Sequence, residues 1–111
     1  MRPSDDNYDY QKMIADTIRQ QIRAIDPWAL MAYGATNLMV LNENQMYRGG
    51  LSMKVRGQRF KGVLEIQLMY NDTYRVRTYN QKLDRVKDEV SDVYCDMLVS
   101  VLDDLVENER D

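Results

Sequence analysis

Histidine is absent from this chain of 111 residues, and cysteine occurs once, at Cys95. No internal disulfide can form, and the common Cys/His zinc sites are excluded. Phe and Trp also occur once each, beside eight Tyr and eight Met. The core is therefore expected to be filled by flexible thioethers and by rings that keep one polar end wet. No apolar run approaches the roughly 18 residues of a membrane helix, and the opening MRPSDDNYDYQ lacks the apolar stretch of a signal peptide. These absences predict a cytoplasmic protein with no membrane partner. The motifs GxxxxGKS, GxGxxG, HExxH and CxxC are missing as well. Without His, any proton transfer would fall to Tyr, Lys, Asp or Glu, and no spacing forces a pair of these together. The expectation is a protein without a catalytic constellation, cofactor or metal.

Of the residues, 44% are hydrophobic and 30% charged. That balance suits one globular domain spanning residues 1–111, with residues 1–6 and 108–111 carrying few apolar anchors and expected to be mobile. The formal charge of −3 hides an uneven distribution. Residues 46–87 carry ten Lys/Arg against three Asp/Glu, whereas 88–111 carry one against nine. A local basic region meets a polyanion within a Debye length of about 8 Å whatever the overall charge.

Met13, Ile14, Ile18, Ile22 and Ile25 recur at helical steps, with Asn7 or Asp9 as cap. DPWALMAYG predicts a short second helix, with Asp26 as N-cap, Pro27 at the first helical position and Gly34 just past its end. NLMVL reads as a strand. Leu51, Met53 and Val55 alternate with polar neighbours, as do Leu64, Ile66 and Leu68, so both segments read as strands with one covered face. A fourth strand falls within YNDTYRVRTYN. Keeping arginines out of the core requires an odd loop, most simply Asn71-Asp72-Thr73, which pairs Leu68 with Val76 and Gln67 with Arg77. A four-residue loop, Gln58 to Lys61, sets Val55 opposite Leu64 and Lys54 opposite Glu65. From about Val86 or Ser91 to Val106, a broad apolar stripe predicts a long last helix.

These elements predict an α+β two-layer sandwich. A four-stranded antiparallel meander would be covered on one face by an N-terminal helix, a short helix and a long C-terminal helix. The opposite face would carry Lys54, Arg56, Glu65, Gln67, Arg75, Arg77 and Tyr79, with Arg59 and Lys61 in the adjoining hairpin. The candidate binding residues are therefore Lys54, Arg56, Arg59, Lys61, Arg75, Arg77 and Tyr79, facing an anionic partner. The plain alternative is a solvated face, since sheets exposed on one side commonly carry Lys, Arg, Thr and Tyr.

Four segments, MAYGATNLMVLNENQ, GLSMKVR, NDTYRVRTYN and EVSDVYCDMLVSVLDDL, resemble in order the MTGAKNFV, GLSFK, DTYDVEF and EGVYADQL of a family. The family consists of small uncharacterised proteins encoded by bacteriophages and integrated mobile elements. The likeness spans roughly Leu30 to Leu105. It implies a phage or mobile-element origin in a bacterial host cell and brings no catalytic residue with it. The family has acids where Arg75 and Arg77 stand, so a basic patch here would be particular to this chain. The resulting expectation is an accessory protein that binds a host or phage protein, for instance to inhibit a nucleic-acid-handling or defence complex. The alternative is a nucleic-acid-binding module using the basic face, with Tyr47, Tyr70 or Tyr79 stacking on bases. Basic and acidic segments on one chain, with an open strand edge, also suggest a homodimer.

Overall fold

A computed structural model describes the backbone of residues 3–82 and 85–107, and side chains from Asp9 onward. Helix α1 runs Pro3–Ile25 and α2 runs Ala29–Ala32. Strands follow at β1 (Thr36–Leu41), β2 (Tyr47–Arg56), β3 (Lys61–Met69), β4 (Tyr74–Tyr79) and β5 (Val86–Val93). A 3-10 turn at Cys95–Met97 leads into α3 (Leu98–Val106). The fold is α+β, with an antiparallel sheet in the order β1-β2-β3-β4-β5. The predicted four strands become five.

The fifth strand replaces the first half of the predicted last helix, and the cause is a bulge. Asp92 has φ 56°, and the β4–β5 register slips beside it, so Val76 pairs with Val90 and Tyr74 with Val93. An extra residue puts Val90 and Val93 on one face at a three-residue step, which imitates a helix. The β-branched Val86, Val90 and Val93, with Ser91 and Asp92 between, favour the strand. Only Leu98–Val106 keeps the helix, burying Leu98, Val99, Leu102, Leu105 and Val106.

α1 buries Ile14, Ala15, Ile18 and Ile22, and each Ile is worth about 1.5–3 kcal/mol of burial. Met13 and Ile25, predicted on the same stripe, are instead exposed. Of the loose ends expected at 1–6 and 108–111, residues 1–2 and 108–111 lie outside the described residues, while Pro3 to Asp6 belong to α1. The chain reverses at Asp26, whose Oδ1 accepts from the Trp28 N–H at 3.0 Å. Gly34 ends α2 as predicted, with φ 62°: its N–H donates to the Met31 carbonyl and the Ala35 N–H to that of Leu30. That is a Schellman cap, and its left-handed residue is why glycine stands there.

Leu51, Met53, Val55, Leu64, Ile66, Tyr74 and Val76 lie beneath the helices in one buried cluster, with Leu68 half-buried at its margin. The predicted faces are therefore correct, but both inner registers shift by two residues. The loop between β3 and β4 has an odd length, yet it is Tyr70-Asn71-Asp72: Met69 and Thr73 are bonded across it, and Asp72 takes φ 67°. Leu68 consequently pairs with Tyr74, Gln67 with Arg75 and Glu65 with Arg77. The β2–β3 turn is tighter than expected, the Gly57 N–H donating to the Phe60 carbonyl. Val55 pairs with Gly62, Met53 with Leu64 and Lys54 with Val63, so Glu65 meets Ser52 and not Lys54.

Candidate functional site

The sheet face turned away from the helices carries the predicted charged residues, and the register divides it into two ends. Towards β5, Arg75 lies opposite Gln67 and donates from Nε to Gln67 Oε1 at 2.7 Å. Gln67 Nε2 in turn donates to Glu65 Oε1 at 2.9 Å. Glu89 of β5 stands opposite Arg77 and accepts its Nε at 2.6 Å, with Arg75 Nε 3.5 Å from the same oxygen. Arg77 Nη1 reaches the Tyr79 hydroxyl at 3.5 Å, and that bond and the Glu89 pair raise the guanidinium pKa above its ordinary value. Tyr47 lies close enough to feel Glu65 and Tyr79; burial first, then these neighbours, push its hydroxyl pKa up.

This end is not the wet surface that alternation suggested. Gln67 is 1% exposed and Arg75 is 8% exposed, although no helix covers them. They are buried by their own neighbours, because long side chains lying flat along a sheet cover one another. Arg77 is half-buried. The expectation that both arginines stand free is therefore corrected: Glu89, hidden in the segment read as helix, holds them both.

The other end lies near the β2–β3 turn. Lys54, Arg56 and Lys61 are exposed there and form no ion pair with any described residue. Arg56 and Lys61 are cross-strand partners, so two cations share one face directly opposite each other. Beside them, Thr36, Asn37, Lys54, Arg56, Val63 and Gln81 line a groove of about 520 Å³ that opens to solvent. Val63, 6% exposed yet outside the helix-covered core cluster, belongs to this face, paired with Lys54 on one side and Tyr79 on the other. Asn37 takes φ 52° at an irregularity in the β1–β2 register.

Arg59 is brought to neither end. Its N–H donates to the Val106 carbonyl at 2.9 Å and its Nη1 to the Asp104 carbonyl, so it closes the C-terminal end of α3. Thr36, Asn37, Gln81 and Glu89 were not foreseen as site residues. Only the valines at 86, 90 and 93 could have signalled the strand that carries Glu89. Cys95 is exposed in the turn before α3. Among the described residues, no three or more His, Cys, Asp or Glu gather in a way that could hold a metal, and no helix is long and apolar enough to cross a membrane. No family model, curated protein or solved structure matches the chain.

Proposed function

We propose that this chain is a non-catalytic binding protein, an accessory protein of the phage or mobile-element kind. It holds an acidic segment of a host or phage protein at the groove end of the outer sheet face. One observation carries this reading: Arg56 faces Lys61 across the ladder, and among the described residues neither forms an ion pair with a carboxylate. Like charges directly opposite are destabilising, so the pair costs the free protein stability that a bound anion would return. Lys54 adds a third cation at the groove, and Thr36, Asn37 and Gln81 supply neutral donors and acceptors. The partner class this reading names is a host complex that handles nucleic acid or serves defence.

Nucleic acid is the second reading of the same face, and it has less support. Duplex binders commonly neutralise about 6–10 phosphates, whereas of the six cations foreseen for this face Arg75 and Arg77 already share Glu89 and Arg59 is turned to the end of α3. Of the tyrosines that would stack on bases, Tyr47 lies near Glu65, and Tyr79, opposite groove-lining Val63, has its hydroxyl within reach of Arg77.

The test is binding of a fluorescent poly-Glu peptide and of a random-sequence oligonucleotide, each across a salt series. The peptide should bind, more weakly as salt rises, and Arg56→Glu with Lys61→Glu should weaken it by about tenfold or more without lowering the melting temperature. Peptide binding unchanged in that variant would remove the groove. Oligonucleotide binding that outlasts peptide binding at each salt concentration would favour the second reading.

A further inference from the structure

The two edges of the sheet are treated differently. β5 carries Lys87, Asp88, Glu89 and Asp92 and bulges at Asp92, which are devices that keep other strands from adding to an edge. β1, TNLMVL, has no charge and no proline. Its irregularity is confined to the Thr36 end, and Met39, Val40 and Leu41 pair regularly with Ser52, Leu51 and Gly50. On its open side no backbone bond to another described residue is found. Leu38 is 37% and Met39 63% exposed there.

The helix above that edge is self-complementary. Lys12, Asp16 and Arg19 of α1 line a shallow depression against Leu38, Met39 and Val40. Their charges run plus, minus, plus along one face. Among the described residues these charges form only the Lys12 to Asp16 pair, at 3.1 Å, and both partners remain well exposed. A two-fold axis normal to the sheet at β1 would set a second β1 antiparallel to the first, continuing the meander's own alternation. With strands about 4.8 Å apart, two copies of α1 over β1 and β2 would run antiparallel roughly 10–14 Å apart, within reach of long side chains. Asp16 of one copy would then stand near Lys12 or Arg19 of the other.

We infer that the β1 edge is the docking site for a second copy of this chain, joined strand to strand into one continuous sheet. Main-chain bonds and the apolar Leu38 and Met39 supply the affinity, while the α1 charges select the antiparallel arrangement, because exposed ion pairs add little by themselves. This inference uses residues other than Lys54, Arg56 and Lys61, so it stands or falls apart from the groove.

Sedimentation equilibrium of the full chain tests it. The parent should be a dimer at concentrations on the order of 100 μM, and Met39→Lys should weaken the dissociation constant by about tenfold or more. Val86→Lys, on the β5 edge, should leave the dimer unchanged. A monomeric parent, a Met39→Lys variant that still dimerises, or a dimer lost only in Val86→Lys would each overturn the inference. Should Met39→Lys fail to fold, hydrogen exchange on the parent decides. Amides within residues 38–41 should exchange more slowly as concentration rises, and concentration-independent exchange would overturn the proposal.

Discussion

The Tyr33 hydroxyl donates to Asp103 Oδ1 at 2.5 Å, joining the end of α2 to the middle of α3. Tyr33 is completely buried, and burial first, then the Asp103 bond and the nearby carboxylate charges, push its pKa far above its ordinary value of 10.0. In the unfolded chain the same phenol titrates near pH 10. The protonated form is thus favoured by folding, and its contribution is complete below pH 10 and lost as pH rises beyond it. Stability should fall above pH 10 by about 1.4 kcal/mol per pH unit from this residue alone. Melting curves from pH 8 to 11 should show a shallower alkaline loss in Tyr33→Phe, with a remainder from Tyr74, whose pKa burial also raises. An identical slope in the variant would mean that Tyr33 ionises in the folded state.

The Arg75 side chain should matter to folding more than a surface arginine does. It is 8% exposed, and its Nε donates to Gln67, which would lose that donor if it were removed, and stands 3.5 Å from Glu89. Arg75→Glu would instead bring a carboxylate against Glu89. We expect urea midpoints to report a loss of about 2–4 kcal/mol, against about 1–2 kcal/mol for Arg77→Glu, which is better solvated but would stand between Glu65 and Glu89. Equal small losses for the two variants would show that Arg75 is not held as described.

Leu98 has no exposed surface and shares the buried cluster with Leu64 and Ile66. Leu98→Ala should cost about 2–5 kcal/mol, the usual range for a core leucine. Val101 is only half-buried, and Val101→Ala should cost less. A Leu98→Ala variant that melts with the parent would mean that α3 does not cover the sheet.

Gly57 should not tolerate a side chain. A Cβ there would lie 2.2 Å from the Val106 carbonyl oxygen and 2.4 Å from its Cγ1, and backbone cannot yield cheaply. Gly57→Ala should destabilise by about 1–3 kcal/mol through overpacking, read as a lowered melting temperature. A neutral result would place α3 farther from the hairpin.

Local signals were legible where chemistry and geometry coincide. Gly34 foretold its cap, the Ile14, Ile18 and Ile22 spacing foretold α1, and the alternation around Leu64 and Ile66 foretold both faces of the sheet. Parity was recoverable because an odd slip would bury an arginine. The two-residue slips left every residue on its own face, and nothing in the pattern of apolar residues distinguishes them. β5 escaped because the Asp92 bulge converts a strand's period into a helix-like one. The state of the outer face escaped with it, since the carboxylate that binds Arg75 and Arg77 comes from that strand. Arg59 reads as one more cation of the patch until the hairpin is seen to end against α3.

That contact has a consequence for how the chain acquires its structure. Each strand pairs with its neighbours in sequence, so the sheet can assemble from short loops, cheaply and early. The β2–β3 turn is different, because the N–H groups of Arg59 and Phe60 find their acceptor only at Val106. A nascent chain can zip its meander as each strand emerges, but the tip of its longest hairpin stays open until α3 has been synthesised and docked. Completion should therefore be late and cooperative, with amide protection at residues 59 and 60 arising together with that of α3.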